Sequence, residues 1–164
     1  MTLASRIGVM NHGKIVQIGT PLDIYEYPQT RFVADFVGSV NLFEGQLIED
    51  EADHVRIHSG DLDSPIYVDH GISSAPDATV WVAIRPEKIG IHRSEPSAGE
   101  NVARGTVREV AYMGDTSIYI VELDAGKLVR VTLPNVLRRA EDRISAAERV
   151  CLSWHASSPV VLTR

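Results

Sequence analysis

No uninterrupted apolar run in this chain is longer than the five residues Val80, Trp81, Val82, Ala83 and Ile84. A membrane-spanning helix needs about 18 or more. The rest of the apolar content comes in shorter pieces, cut at short intervals by Gly, Asn, Asp and Pro. Short apolar or alternating runs between turn signals predict a sandwich or small barrel of many brief strands. Such runs lie at 40–48, 54–58, 66–68, 80–84, 89–91, 102–112, 117–123, 127–133, 150–154 and 160–162. Met113-Gly114-Asp115 and Asp124-Ala125-Gly126 read as turns between strands, and 93–101 reads as a loop. Residues 136–147 carry both a helical spacing (Val136, Ala140, Ile144, Ala147) and the composition of a polar loop.

The first 38 residues have a different texture. Two strand-like pieces, 6–10 and 14–19, flank the turn residues Asn11-His12-Gly13 and predict a hairpin. Thr20, Pro21 and Asp23 are the cap, first-turn proline and acidic partner that open a helix. Pro28 stops that helix, because the residue before a proline is pushed out of the helical region. Phe32, Val33, Phe36 and Val37 share one face of a second short helix ended by Gly38. No internal repeat is visible.

Composition narrows the function. Apolar residues make up 44% and charged residues 23% of 164, which suffices for a packed core. The net charge of -6 disfavours a general nucleic-acid binder, which needs a basic face. The single cysteine, Cys151, excludes an internal disulfide and fits a reducing compartment. The start lacks the pattern of a secretory signal. Residues 44–77 hold nine acidic side chains and one basic, whereas 127–149 hold six basic and three acidic. Solvated faces account for this more simply than an acidic edge meeting a basic one.

Candidate chemistry is sparse. Gly8 to Lys14 has the spacing G-x-x-x-x-G-K, but Ile15 replaces the Ser or Thr that holds magnesium, and a strand follows where a helix is required. His54 and His58 would share one strand face, but zinc needs three or four convergent ligands. No nucleophile elbow supports a hydrolase. Trp81 and Trp154 sit in apolar strands and read as core. The cluster Arg85-Pro86-Glu87-Lys88 after the strongest strand reads equally as an inter-strand ion pair or a partner contact.

Residues 5–21, with Ile24-Tyr25-Glu26-Tyr27-Pro28 and 31–38, resemble the end of the ATPase domain of bacterial ABC importers. Ile84-Arg85-Pro86-Glu87, Tyr112-Met113-Gly114-Asp115 and Val150-Cys151-Leu152-Ser153-Trp154 resemble their C-terminal regulatory domain, the transport-associated OB (TOBE) domain. The subclass looks most like the spermidine/putrescine importers, related to maltose and iron(III) importers. The resemblance implies a mainly β, OB-like β-barrel regulatory domain at 39–164. A hairpin and two short helices left from a nucleotide-binding domain would precede it at 1–38. It implies a regulatory and dimerisation role in a subunit that energises solute import, of polyamine type. The parent would use ATP and magnesium. The phosphate loop, Gln loop, signature, Walker B strand and switch histidine are not in this chain, so no ATPase activity is expected of it, and no catalytic, cofactor or metal residue is assigned. Arg85, Glu87, Tyr112, Gly114 and Asp115 are the expected partner or ligand contacts. The expected partners are a second copy (plain or strand-exchanged homodimer), the parent ATPase domain and permease subunits, with no nucleic acid and no direct membrane insertion. The implied location is cytoplasmic, peripheral to the inner membrane. The hairpin residues Ile7, Val9, Ile15, Val16 and Ile18, and the helix face of Phe32, Val33, Phe36 and Val37, would then lack partners and recruit a neighbour. A free OB module binding a small ligand or single-stranded nucleic acid is the alternative. One departure from the family is Ala147-Glu148, where relatives often have Gly-Asp.

Overall fold

Strands dominate because apolar and polar residues alternate through most of the chain after Gly38. The computed structural model describes residues 3–75, 77–96, 101–136 and 143–164. The N-terminal hairpin pairs β1 (Ile7–Asn11) with β2 (Lys14–Gly19). Its turn places His12 and Gly13 at φ 47° and 76°, the pair of positive values that a tight hairpin turn demands. The phosphate-loop spacing at Gly8 to Lys14 is therefore this turn. Helix α1 (Pro21–Glu26) starts in a reciprocal box in which Thr20 and Asp23 satisfy each other's backbone N–H. Helix α2 (Arg31–Phe36) starts on Thr30, whose hydroxyl accepts from the Val33 amide.

The expected orphaning of this region is only partial. Val9, Ile24 and Val33 are buried together, with Ile7, Val16 and Val37 packed around them. Ile15 and Ile18 stay exposed, as do Met10 and Leu22, and Phe32 and Phe36 stack on each other at 5.6 Å outside the cluster.

Among the described residues ten strands follow: β3 (Asn41–Asp50), β4 (Val55–His58), β5 (Ile66–Val68), β6 (Thr79–Ile84), β7 (Gly90–His92), β8 (Asn101–Tyr112), β9 (Thr116–Leu123), β10 (Leu128–Pro134), β11 (Arg149–Trp154) and β12 (Val160–Leu162). A 3₁₀ turn at Pro86–Lys88 separates β6 from β7. His54 precedes β4, so it does not share a strand with His58 as the alternation suggested. Residues 137–142 of the ambiguous 136–147 segment, and 97–100 of the expected loop, lie outside the described residues.

The strands form two antiparallel five-stranded sheets, ordered β12-β6-β3-β4-β5 and β10-β9-β8-β11-β7. Written in opposite directions, the orders are the same. Asn41 pairs with Ile84 and Gly45 with Val80, while Asn101 pairs with Trp154 and Gly105 with Val150. Register slips at Leu47/Glu49 in one sheet and at Val107/Glu109 in the other. The molecule thus contains an internal repeat that the sequence reading missed. Each half exchanges its last strand: β7 follows β6 but pairs with β11, and β12 follows β11 but pairs with β6.

Three details repeat with the strands. A Cβ at Gly45 would lie 2.5 Å from the His58 carbonyl oxygen, and one at Gly105 would lie 2.5 Å from that of Glu122. Both positions need glycine for close backbone approach. Asn41 accepts from the Arg130 amide and donates to the Arg130 carbonyl, each at 2.8 Å. Asn101 does the same to Tyr67, at 2.7 and 2.9 Å. Each side-chain amide stands in for one residue of a missing strand and ties the start of a central strand to the other sheet's edge, β10 or β5. That satisfies edge groups which would otherwise need water.

The inward faces make one core. Phe43, Val55, Ile57, Ile66, Val80, Val82 and Ile84 meet Val107, Val121, Val129, Val131, Leu152 and Trp154. Each such side chain contributes about 1.5–3 kcal/mol when fully buried. Trp154 is in the core as expected and lies stacked 6.0 Å from Phe43, with its indole Nε1 buried and lacking a hydrogen-bond partner among the described residues. Trp81 is not: it is half-buried on the outer face, with the Arg31 guanidinium 3.8 Å above its ring.

Candidate functional site

The apolar strand β6 delivers Arg85 directly into a corner beneath α1 and α2. Pro86 suits the first position of the turn that follows, and Lys88 N–H closes it on the Arg85 carbonyl at 3.0 Å. Arg85 is 5% exposed. Its guanidinium donates to the carbonyls of Ala34 (2.9 Å), Gly38 (3.1 Å) and Ser39 (3.2 Å) through Nη1, and of Tyr25 (3.1 Å) through Nη2. It also lies 4.3 Å from the centre of the Tyr25 ring. The Ala34 carbonyl belongs to the last turn of α2, where helical carbonyls lack partners and a cation is favoured. Hydrogen bonds to a charged group contribute about 1.5–3 kcal/mol each.

Two more contacts flank the arginine. The Tyr25 hydroxyl donates to Glu87, and Lys88 pairs with Glu26. Burial, and then this bond to Glu87, push the Tyr25 phenol up to about 12, so it remains a donor at neutral pH. The cluster that read as an inter-strand ion pair or a partner contact is therefore an internal joint between the barrel and the N-terminal helices. Nearby, Ala34 is buried against Ala83 and Leu162 on the outer face of the first sheet.

The other three candidate residues lie elsewhere, at the β8–β9 tip. Gly114 takes φ 94° in the turn, and its carbonyl accepts from the Asn135 side chain at 2.8 Å. The Asp115 carbonyl accepts from the Asn135 amide at 2.7 Å. Tyr112 is exposed, with the Arg143 guanidinium 4.8 Å from its ring. An open, mostly apolar groove of about 350 Å³ runs alongside, lined by Tyr119, Leu133, Asn135 and Ile144 among others. The structure thus splits the five predicted residues into a pair at the corner between barrel and helices, Arg85 buried and Glu87 exposed, and a trio at a surface tip. Sequence reasoning missed Asn41, Asn101 and Asn135, because a lone asparagine near a turn carries no signal of a long-range amide contact.

Ion pairs join the outer face of the second sheet to its flanking loops. Arg108 pairs with Glu122 at 2.7 Å, Arg93 with Glu148 and Arg104 with Glu95 at 2.9 Å each, and Arg149 with Asp124. These arginines hold Glu122, Asp124 and Glu148 below the usual carboxylate range. Lys127 reaches Asp61 at 3.2 Å, a bridge from the basic stretch to the acidic one. Among the described residues, no three His, Cys, Asp or Glu side chains are grouped to hold a metal ion. No helix among them is long and apolar enough to cross a membrane.

The deciding comparison is with protein families, where the TOBE domain matches from within β6 to the end of β12. Residues 82–162 match the TOBE domain family. The match takes in only the end of β6 and leaves out β3, β4 and β5, so the other part of the first half is placed by the structure. The whole chain is similar to the C-terminal region of ABC importer ATP-binding proteins. It is 44% identical to the putrescine transport ATP-binding protein PotG of Escherichia coli, over 99% of this chain and 43% of that protein. It is 38% identical to a spermidine/putrescine import ATP-binding protein PotA from a Nostoc species, over 96% and 41%. The chain thus spans about two-fifths of the length of these relatives. Among solved structures, the cytoplasmic molybdate-binding protein ModG superposes with a TM-score of 0.63 at 15% identity, over 74% of this chain and 94% of that one. That likeness shows the shared OB-type fold. The mainly β, barrel-like architecture agrees with the expectation from the sequence.

Proposed function

We propose that this chain is the regulatory C-terminal region of an ATP-binding subunit that energises polyamine import. The observation that carries the reading is the 44% identity to a putrescine transport ATP-binding protein along virtually the whole chain. Residues 1–38 would be the end of a nucleotide-binding domain and 39–164 the regulatory barrel. On this reading the chain itself hydrolyses nothing and holds no cofactor, while the parent subunit binds ATP and magnesium. Its partners would be a second copy of itself, the ATPase domain and membrane permease subunits at the cytoplasmic face. The exposed Met10, Ile15, Ile18 and Phe36 support a partner on the N-terminal segment, because isolated hairpins with open apolar faces are marginal alone.

A chimera tests this. The equivalent C-terminal region of the E. coli putrescine transport ATP-binding protein is replaced by this chain, and labelled putrescine uptake is measured in cells lacking the native subunit. Uptake restored to a substantial fraction of the native rate is expected. A stable chimeric subunit that assembles yet supports no uptake would contradict the polyamine-importer reading. Light scattering on the isolated chain tests self-association, and a persistent monomer at high concentration would remove the homodimer.

A further inference from the structure

We propose that the corner Arg85–Lys88 is a latch on which the order of residues 20–38 depends. Helices α1 and α2 have six residues each, well short of what holds a helix in water without tertiary contacts. The cluster of Val9, Ile24 and Val33 is small, and the hairpin beside it has two strands. Contacts to the barrel must therefore supply much of the order. Most of the polar ones converge on one corner: Arg85 takes the carbonyls of Tyr25, Ala34, Gly38 and Ser39, Glu87 takes the Tyr25 hydroxyl, and Lys88 takes Glu26. A single side chain thus gathers α1, the end of α2 and the strand entrance behind it.

The barrel provides its own control. Its second half has the same corner after β11, where Ser158 N–H closes on the His155 carbonyl at 3.0 Å, as Lys88 does on Arg85. There His155 bonds to its own neighbour Ser157 at 2.7 Å. The corner is thus a feature of the barrel, and the latch is an addition to one copy of it. Anything that displaces Arg85 would release the N-terminal segment while leaving the barrel folded. This makes the corner a built-in order–disorder device between the two parts.

Amide hydrogen exchange on the full chain tests it. In Arg85→Ala, the amides of Ile24, Ala34 and Val37 should exchange at least about tenfold faster, with those of Val82 and Val131 unchanged. His155→Ala should change neither set. If Arg85→Ala does not form the barrel, Arg85→Lys replaces it. Lysine keeps the charge and the stem but not the planar fork, and the same selective acceleration is expected. The latch is overturned if the helix amides stay protected in a folded Arg85 variant. It is also overturned if both variants lose helix and barrel protection together, because Arg85 would then be a general core residue.

Discussion

The two halves of the barrel share a skeleton and differ in what is attached to it. Asn41, Gly45 and the Leu47/Glu49 slip in the first half recur as Asn101, Gly105 and the Val107/Glu109 slip in the second. Before the next strand, Asp77 and Ala147 both take the left-handed conformation, at φ 58° and 68°. The repeated positions are those where backbones touch or edges must be closed. Elsewhere the halves diverge. The first half's outer face is covered by α2, with Arg85 beneath it. The second half's outer face and flanking loops carry arginine–carboxylate pairs. Backbone geometry therefore explains the sameness, and the role of the chain must lie in the differences.

The largest expected effects test the shared skeleton. Gly45→Ala and Gly105→Ala each force a methyl onto a backbone carbonyl and should cost about 3 kcal/mol in denaturant unfolding. The comparison fails if one is costly and the other neutral. Next come the asparagines. Asn41 is 6% exposed, so Asn41→Ala leaves the Arg130 amide and carbonyl without partners and should cost about 2 kcal/mol. Asn101 bonds near solvent, which can replace it, so Asn101→Ala should cost about 1 kcal/mol.

A smaller effect separates the two left-handed residues. Alanine is strained at positive φ, whereas aspartate tolerates it better. Ala147→Gly should therefore stabilise by about 1 kcal/mol and Asp77→Gly by less, read as shifts in the denaturation midpoint.

The smallest effect is in pH. In the second half, Glu122, Asp124 and Glu148 titrate below their ordinary values of 4.5, 3.8 and 4.5. Depressed carboxylates stabilise above those values and lose the contribution as pH falls through the folded ones. In the first half, Asp50 is lowered by the amides of Ile72 and Ser74, and Asp53 by its bond to His54. His54 is raised above 6.5 by Asp53. Its contribution is complete below 6.5 and lost as pH rises through the folded value. Melting temperature should therefore fall in acid for both halves' reasons. It should fall slightly just above neutrality through His54, with the raised Cys151 thiol and Tyr25 phenol adding to the fall only at higher pH, and His54→Gln should abolish the slope near neutrality.

Strands, hairpins and the first helix start were legible in the sequence because period-two alternation, turn residues and the Thr20 cap are local signals, and the second helix showed through the spacing of Phe32, Val33, Phe36 and Val37. The repeat was not. It rests on a few side chains and on registers set by bulges, and the spacing between equivalent residues changes from 60 at Asn41/Asn101 to 70 at Asp77/Ala147. Trp81 looked like core because its strand is apolar throughout, but the strand has two packed faces, and the outer one is covered by helix and arginine. Arg85 and Glu87 were singled out as contact residues, yet their partners lie 46 to 62 positions away along the chain. No sequence spacing could name those carbonyls.

The central structural claim is that the two halves are equivalent and interlocked through exchanged last strands. Native-state hydrogen exchange measures this directly, by comparing the amides of Val80 and Val82 in β6 with those of Val150 and Leu152 in β11. Interlocked halves should open together, with one free energy and one denaturant dependence for both sets. If the sets open with free energies more than about 1.4 kcal/mol apart, a tenfold difference, the halves are independent and the account is wrong.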